Sequence, residues 1–375
     1  MKHVPFHKSG LSYIHWEEYI NSLKNLKSFH GSMSLQSEVE DLCRIFCKGK
    51  NFYFVNSGTA ALELALMSLK LEAGSEVILP SLTFSSCANA IIRSGAKPCF
   101  CEISLPNLHI SLDKIKELVN ENTKVIMVVE YAGIRAELKN IRRFCDERGI
   151  YLLLDSAQAF GATEVEDQSV LADFVCYSFH DTKVFSCGEG GLLVVNYNPV
   201  IETVEIMLEK GTNRLSFVNG QIDKYTWHDI GSSFILSDIN LLLLMCQLEE
   251  RERILMDKLS AIKIYVDFFE SFQSTHIRAF SRHDKASNGH IFWLLFKNNQ
   301  TLKNVQSFFD KNFIHTTTHY VPLHSAPYAL KNGYKHSQDM SLTDCAGDSL
   351  LRLPVISAEV AQKVKTTFLN YFEKI

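Results

Sequence analysis

The feature that most constrains this 375-residue chain is a series of seven short apolar runs separated by segments with helical periodicity. The runs lie at residues 52–55, 77–79, 98–103, 124–129, 151–154, 174–179 and 191–196. Between many of them, as in residues 60–69 and 138–148, apolar residues recur three and four positions apart. Continuous apolar strands that alternate with amphipathic helices indicate a mostly parallel sheet with helices on both faces. The predicted fold class is therefore α/β.

The pattern changes after residue 250. A long charged helix is predicted at residues 247–272, and a smaller α+β pattern follows it. That pattern has two strands, at 291–296 and 316–320, and two helices, at 302–311 and 358–372. Because single cores rarely grow beyond about 250–300 residues, a chain of 375 residues favours two domains. We expect a large domain over residues 1–250 and a small C-terminal domain over residues 251–375.

Composition and charge argue against several classes of protein, including nucleic-acid-binding, membrane-spanning and metal-binding proteins. The net charge is −4, which argues against nucleic-acid binding through bulk positive charge. No apolar stretch has the length of a membrane helix, and the first residues lack the apolar core of a signal peptide, so we expect a cytoplasmic protein. The ten cysteines lie mostly in apolar runs and indicate buried thiols. Cys43 and Cys47 lack a second pair to complete a zinc site, so no metal is expected.

Two residues of opposite charge follow buried strands. Asp155 comes directly after the run at 151–154, and Lys183 ends the turn that follows the run at 174–179. Ligands of parallel sheets bind outside the carboxyl ends of the strands, which is where both residues fall. A lysine that holds an aldehyde as a Schiff base, and an acid that keeps a pyridine nitrogen protonated, are what pyridoxal phosphate (PLP) chemistry needs. At 4 Å such a pair is worth about 4 kcal/mol with an effective dielectric near 20.

Small and hydroxylated residues near this pair suit a phosphate. Ser57, Gly58 and Thr59 join a strand to a helix, where close backbone approach and unpaired N–H groups favour phosphate binding. A plain helix cap by Ser57 or Thr59 is the commoner use of such a sequence. Ser178 could add its hydroxyl to the phosphate or simply end a strand.

Further side chains are candidates for contact with the cofactor ring. Phe84 could stack on the ring or be a core aromatic, and Gln158 could reach the ring or be a solvated helix residue. His180, three residues before Lys183, suits a polar contact near the cofactor or substrate. The glycine-rich segment at 188–191 lacks the spacing of a nucleotide loop, so we interpret it as a tight turn before a strand.

The order of these motifs resembles a known family. The motifs are Ser-Gly-Thr-Ala-Ala-Leu at 57–62, Pro-x-x-Thr-Phe at 80–84, Asp-Ser-Ala-Gln at 155–158, and Ser-Phe-His-Asp-Thr-Lys at 178–183 with Gly-Glu-Gly-Gly after it. Together they resemble the DegT/DnrJ/EryC1/StrS family of PLP-dependent nucleotide-sugar aminotransferases over nearly the whole chain. The resemblance implies a fold type I (aspartate-aminotransferase-like) architecture with a seven-stranded sheet. It also implies L-glutamate as amino donor and a homodimer with shared active sites.

The resemblance assigns roles to the candidate residues. It implies that Lys183 is the Schiff-base lysine and Asp155 the partner of the pyridinium. The residues that it places around the cofactor are Gln158 and Phe84 at the ring, with Gly58, Thr59 and Ser178 at the phosphate.

Three longer stretches, at residues 209–214, 220–233 and 319–324, are similar to one branch of that family. Members of this branch aminate dTDP-4-keto-6-deoxyglucose at C4 to give the 4-amino-4,6-dideoxygalactose used in enterobacterial common antigen or another surface polysaccharide, such as O-antigen. The implied substrate is a dTDP-ketosugar. The candidate contacts with it are Arg214, Tyr225, Trp227, Tyr320 and His324. Arg214 could pair with the pyrophosphate or be a solvated loop charge.

The chain departs from the family pattern at three positions. Ile235 stands where many members have an asparagine that reaches the neighbouring subunit's phosphate, a contact that Ser232 or Ser233 could supply. Glu130 stands where a histidine is common, and His228 where an arginine is expected. None of these positions belongs to the proposed lysine–aspartate pair.

Other functions remain open at this stage. A PLP-dependent sugar dehydratase of the same fold carries histidine in place of the lysine, so Lys183 argues against it. A non-catalytic regulatory relative would not need a protonated pyridine. Amination at C3, or of another nucleotide-linked ketosugar, fits the same residues.

Overall fold

The computed structural model describes residues 3–26, 33–163, 168–334, 336 and 338–373. Within these residues seven strands form one mixed sheet: β1 (Asn51–Val55), β2 (Glu76–Pro80), β3 (Lys97–Cys101), β4 (Thr123–Val129), β5 (Tyr151–Asp155), β6 (Phe174–Ser178) and β7 (Gly191–Val195). The strand order is β1-β7-β6-β5-β4-β2-β3. Only β7 runs antiparallel to its neighbours. The predicted seven-stranded, mostly parallel sheet is confirmed.

Helices cover both faces of this sheet. In chain order they are α1 (Trp16–Asn25), α2 (Met33–Cys43), α3 (Gly58–Ser68), α4 (Ser85–Arg93), α5 (Leu112–Leu118), α6 (Lys139–Arg148), α7 (Gln168–Leu171), α8 (Ile201–Leu208), α9 (Arg214–Val218) and α10 (Asp238–Glu249). One core lies between the sheet and residues of α2, α5, α6 and α10. The other lies between the sheet and residues of α3, α4 and α8. Two buried faces explain why β6 and β7 are apolar along nearly their whole length.

The last third of the chain forms a smaller α+β unit. Its helices are α11 (Arg251–Ser271), α12 (Asn299–Lys311), α13 (Pro327–Asn332), α14 (Ser341–Ser349) and α15 (Ala358–Phe372). Among the described residues, four strands form its antiparallel sheet in the order β10-β11-β9-β8: β8 (Ile277–Phe280), β9 (Phe292–Phe296), β10 (Thr317–Thr318) and β11 (Leu350–Leu353). An aromatic-rich core packs this sheet against α11, α12 and α15.

Three details of the predicted elements are wrong. The helix predicted at 247–272 is two helices, because α10 ends at Glu249 and α11 begins at Arg251. The strand predicted at 316–320 is reduced to the two residues of β10, since only these pair with β11. Strands β8 and β11 were not predicted.

The N-terminal segment connects the two sheets. Val4 forms a parallel bridge with Ile314 beside the small sheet, and the Ser9 hydroxyl donates to Asp181 Oδ1 at 2.7 Å in the loop after β6. All ten cysteines are free, and seven of them are buried. In the described ranges no helix combines the length and the apolarity needed to cross a membrane.

Candidate active site

A cavity of about 490 Å³ opens at the carboxyl ends of β4, β5 and β6. The final residues of these strands, Val129, Asp155 and Ser178, line one side of it. The N-terminus of α3 adds a second wall, and residues of β10 and β11 close the opposite side. The cavity therefore lies where a parallel sheet binds ligands, between the two sheets of the protein.

Lys183 and Asp155 are brought together in this cavity. The tight turn after β6 places the Lys183 amine in the interior, where burial lowers its pKa to about 8, while the charge of Asp155 acts in the opposite direction. Burial raises the pKa of the Asp155 carboxyl, and the lowering effects of Cys87, Ala157 and Lys183 oppose this. A lysine with a depressed pKa is a competent nucleophile toward an aldehyde.

Asp155 is held in a fixed orientation by two donors. The Ala157 N–H donates to Oδ1 at 3.0 Å, and the Cys87 thiol donates to Oδ2 at 3.0 Å. Burial raises the pKa of the Cys87 thiol well above its ordinary value, so it stays a protonated donor. A carboxylate held in this orientation is suited to accept a hydrogen bond from a pyridinium N–H.

The N-terminus of α3 forms a cradle for an anion. Ser57 caps the helix by accepting from the Ala60 N–H at 3.1 Å, so capping and phosphate binding are compatible at this turn. Gly58 lies against Ser178, since a Cβ at position 58 would be 2.7 Å from the Ser178 Cβ. A Cβ at Gly191 would be 2.4 Å from the Ser57 carbonyl oxygen. These close approaches leave helix N–H groups and the Ser178 hydroxyl beside one cavity wall.

Phe84, which precedes α4, and Gln158, which follows β5, both line the cavity. Phe84 is 58% exposed and is therefore not a core aromatic; its ring centroid lies 6.2 Å from that of Tyr320. Gln158 is buried rather than solvated. Its Oε1 accepts from the Ala132 N–H at 2.7 Å and its Nε2 donates to the Tyr320 hydroxyl at 3.1 Å. His180 also lines the cavity, and its Nδ1 atom lies 2.9 Å from the hydroxyl oxygen of Thr182.

Glu130, which stands where the family commonly has a histidine, is held by several hydrogen-bond donors. Glu130 is fully buried and accepts from Arg135 Nη1 at 2.9 Å and from the Ser156 hydroxyl at 2.6 Å. The Ala136 N–H donates to its other oxygen at 3.1 Å. Ser156 follows Asp155 in the chain, and the Glu130 N–H donates to the Asp155 carbonyl at 3.0 Å, so Glu130 helps to hold the strand end that carries Asp155.

Of the five predicted sugar contacts, Tyr320 alone is among the described residues that line the cavity. His324 is buried elsewhere, with Nδ1 on the Ser81 hydroxyl at 2.8 Å and Nε2 3.2 Å from Asp344. Arg214 pairs with Glu209, and Tyr225 and Trp227 are exposed on the loop after α9. The proposed sugar contacts of these four residues stay predictions.

The segment around Ile235 lies next to the phosphate cradle. Ile235 forms a backbone bridge with Val55, two residues before Ser57. The Ser233 carbonyl accepts from Asn56 Nδ2 at 2.9 Å, and the Ser232 carbonyl accepts from the Lys210 N–H at 3.0 Å. The replacement of the cross-subunit contact by either serine therefore remains a prediction.

Several cavity residues were missed by the sequence analysis. They are Phe6, Cys87, Lys258, His290, His319 and Arg352. Arg352 had a signal, since it is a lone charge inside the apolar run Leu-Leu-Arg-Leu-Pro at 350–354. Cys87 had none, because nothing in the sequence separates a buried thiol from one that faces an active site.

The residues present fit PLP. The cavity holds a buried lysine amine, an oriented carboxylate, a helix N-terminus with small residues and an exposed aromatic ring. Together with the seven-stranded sheet, this set defines a fold type I PLP-dependent aminotransferase. The described part of the chain contains no cluster of three or more metal-ligating side chains.

The chain belongs to the DegT/DnrJ/EryC1/StrS aminotransferase family, whose model matches residues 20–367. The family is PLP-dependent, and the protein is a sugar aminotransferase. It is 29% identical over 350 residues to a GDP-perosamine synthase of Vibrio cholerae, covering 88% of this chain and 89% of the relative. It is 27% identical to the dTDP-4-dehydro-2,3,6-trideoxy-D-glucose 4-aminotransferase of Saccharopolyspora spinosa, covering 73% and 72% of the two chains.

Solved structures support the same fold. A proposed sugar aminotransferase of Streptococcus pneumoniae, solved in its PMP form, superposes with a TM-score of 0.85 at 23% identity, covering 100% of this chain and 98% of that one.

Proposed function

We propose that the protein transfers the amino group of L-glutamate to C4 of a nucleotide-linked 4-keto-6-deoxyhexose, with dTDP-4-keto-6-deoxyglucose as the first candidate. The product is then a dTDP-4-amino-4,6-dideoxyhexose, of galacto configuration, for a surface polysaccharide such as O-antigen or enterobacterial common antigen. The observation that carries the proposal is the Lys183 amine and the Asp155 carboxylate in one cavity. The name of the Saccharopolyspora relative supports C4 over C3.

The cavity residues nearest the cofactor have separate roles in this proposal. PLP, when bound, supplies an aldehyde that accepts the amino group and a ring that absorbs an electron pair. Lys183 holds the cofactor at rest and afterwards moves the proton from the donor Cα, for which a pKa of about 8 keeps part of the amine neutral. Asp155 keeps the ring nitrogen protonated, with Phe84 and Gln158 at the ring.

The remaining contacts belong to the phosphate and the sugar. Ser57, Gly58, Thr59 and Ser178 hold the cofactor phosphate, and His180 contributes a polar edge near it. Tyr320 contacts the sugar within one chain. In a homodimer with shared active sites, the exposed loop with Arg214, Tyr225 and Trp227 would contribute from the neighbouring subunit. The proposed domains are residues 1–250 and 251–375. The proposed location of the enzyme is the cytoplasm.

The identity of the nucleotide in the substrate has a specific alternative. The Vibrio relative acts in GDP-perosamine synthesis by its name, so a GDP-linked ketosugar is the second candidate. Because the base lies beyond the diphosphate and far from the transferred amine, Lys183 and Asp155 do not discriminate between the two.

The test is a product assay with both nucleotides. Purified enzyme loaded with PLP is incubated with L-glutamate and either dTDP-4-keto-6-deoxyglucose or GDP-4-keto-6-deoxymannose, and the product is identified by NMR. We expect a galacto-configured 4-amine from the dTDP sugar and no product from the Lys183→Ala variant. A gluco-configured product or preferred turnover of the GDP sugar would overturn the narrow assignment. Turnover by Lys183→Ala would remove the lysine from the mechanism.

A further inference from the structure

The loop at residues 319–325 brings two aromatic side chains into the cavity. His319 and Tyr320 both line it, and the centroids of their stacked rings are 3.7 Å apart. His319 Nδ1 lies 3.1 Å from the Tyr131 hydroxyl, and the Tyr320 hydroxyl accepts from Gln158 at 3.1 Å. Tyr320 is the sugar contact proposed above, so whatever fixes this loop also fixes that contact.

The far end of the loop is bound to the end of β2. The Leu323 N–H donates to the Ser81 carbonyl at 2.9 Å, and the His324 N–H donates to the Ser81 hydroxyl oxygen at 3.0 Å. Ser81 directly follows β2, and its own N–H donates at 3.1 Å to the carbonyl of Cys101, the last residue of β3. Since both strands belong to the large sheet, Ser81 is a rigid anchor for this loop of the smaller unit.

The His324 side chain continues this anchor as a chain of hydrogen bonds with a fixed direction. Its Nε2 lies 3.2 Å from Asp344 Oδ1, and its Nδ1 lies 2.8 Å from the Ser81 hydroxyl oxygen. Burial lowers the pKa of His324, while the charge of Asp344 acts in the opposite direction. A neutral ring carries one N–H and a carboxylate can only accept, so Nε2 donates to Asp344 and Nδ1 accepts from Ser81. The Ser81 hydroxyl and both ring nitrogens of His324 then have partners.

Asp344 is itself held against the large sheet. It lies in the first turn of α14, and the N–H groups of the two residues before it, Leu342 and Thr343, donate to the buried Glu102 carboxylate at 2.9 and 3.0 Å. Glu102 directly follows β3. Both ends of the hydrogen-bonded chain are therefore anchored on β2 and β3, which are neighbours in the large sheet.

Serine, histidine and aspartate are also the residue types of a hydrolytic triad. Here Ser81 is fully buried, and its hydroxyl oxygen already accepts a backbone N–H. Neither Ser81 nor His324 is among the described residues that line the cavity. A nucleophile needs an open path to its substrate, so this arrangement supports positioning rather than hydrolysis.

We propose that Ser81, His324 and Asp344 form a positioning network that fixes the loop at 319–325 and thereby sets the affinity for the ketosugar. The inference rests on the proposed function in taking Tyr320 as a sugar contact. It gives His324 an indirect role, through Tyr320, in place of the direct sugar contact predicted from the sequence. The two roles differ in their consequence for Ser81, because its hydroxyl is needed in the network and has no part in a direct contact by His324.

The first experiment measures the two half-reactions separately in Ser81→Ala and His324→Leu. In both variants, the concentration of dTDP-4-keto-6-deoxyglucose that half-saturates enzyme loaded with pyridoxamine phosphate should rise about fivefold, the factor expected for one buried hydrogen bond. The glutamate half-reaction and the dissociation constant of PLP should change less than about twofold, since other elements hold Lys183 and Asp155. The double variant should be no worse than the more impaired single variant, because the two residues act as one unit. His324→Asn, which keeps an acceptor for the Ser81 hydroxyl, should recover part of the loss.

The second experiment follows the loop without a substrate. In Ser81→Ala, hydrogen exchange measured by mass spectrometry should be faster in the peptide that contains residues 319–325, because the His324 N–H loses its acceptor. The control is Ser281→Ala. Ser281 is also fully buried, and its hydroxyl oxygen accepts from the Trp293 N–H at 3.1 Å in the small sheet, outside the cavity. We expect this control to leave both ketosugar saturation and exchange in the loop unchanged.

The outcomes separate the possible roles of His324. A large effect of His324→Leu on ketosugar saturation with no effect of Ser81→Ala would overturn the proposal in favour of a direct contact. Equal losses in both half-reactions and in PLP affinity, or the same defect in Ser281→Ala, would contradict it and indicate a general loss of stability. If the proposed sugar is wrong, wild-type enzyme fails in the ketosugar step, while hydrogen exchange still decides whether Ser81 fixes the loop.

Discussion

At the scale of single residues, the cavity works through opposed charges acting on one amine. Burial and the cation of Arg352 lower the pKa of Lys183, and Asp155 raises it. The balance leaves the pKa at about 8, so the amine is partly neutral under physiological conditions. A neutral amine is the form that attacks an aldehyde and that accepts a proton.

This balance predicts a pH dependence with a definite sign. The rate at which cofactor-free enzyme captures PLP should rise with pH and level off above about 8, because only the neutral Lys183 amine reacts. Asp155→Asn removes an effect that raises the pKa, so the inflection should move to lower pH. Arg352→Met removes an effect that lowers the pKa, so it should move to higher pH. Stopped-flow absorbance between pH 6 and pH 10 measures all three; shifts in the same direction for both variants would contradict this account.

Cys87 supplies a second prediction at this scale. Its thiol donates to Asp155 Oδ2, and this bond lowers the pKa of Asp155. Cys87→Ala should therefore weaken the carboxylate as a partner of the pyridinium and reduce PLP affinity and the glutamate half-reaction by at least about 10-fold, since a hydrogen bond to a charged group is worth about 1.5–3 kcal/mol. Cys87→Ser keeps a donor and should restore most of the loss. Equal defects in the two variants would indicate a packing role instead.

At the scale of secondary structure elements, contact between the start of α3 and the end of β6 builds the phosphate cradle. Gly58 permits this contact, since any Cβ there meets both the Cβ and the Cα of Ser178. The sequence predicted the strand and the helix here because their apolar patterns are uninterrupted. It did not predict how closely the two elements approach, which depends on the register of β1, β7 and β6 across the sheet.

Gly58→Ala should therefore push α3 away from β6. We expect the dissociation constant of PLP to rise at least about 10-fold and the free energy of unfolding to fall by about 1–3 kcal/mol, as for other overpacked sites. Ala61→Gly is the control, because it weakens the same helix by about 1 kcal/mol without lining the cavity. A PLP affinity lowered equally in both variants would show that helix stability, not the close approach, is responsible.

The buried ion pair between Glu130 and Arg135 joins the end of β4 to the loop that follows it. Glu130→Gln should lower the free energy of unfolding by about 3–5 kcal/mol, because the buried guanidinium of Arg135 loses its carboxylate. Chemical denaturation measures this loss. Glu117→Gln serves as control, since its pair with Lys114 is exposed and such pairs contribute little to stability. Similar losses in both variants would contradict a special role for the buried pair.

At the scale of the whole molecule, the site is formed where two sheets from different halves of the chain meet. The sequence located the seven strands of the large sheet within two residues, because each is a continuous apolar run. It missed β8, whose residues are at most half-buried, and β11, whose apolar pattern is interrupted by Arg352. Arg214, Tyr225, Trp227 and His324 do not line the cavity, and their contacts stay predictions, because no local sequence pattern fixes the path of the loops that carry them.

The N-terminal segment ties these halves together at the mouth of the cavity. Val4 pairs with Ile314, Phe6 covers Arg352, and Ser9 binds the loop that carries Lys183. A purification tag fused immediately before Val4, or proteolytic trimming of this stretch, would therefore impair amino transfer, because this segment is part of the active-site structure. The exposed side chains of helix α15, of which no described residue lines the cavity, are the safer places for labels.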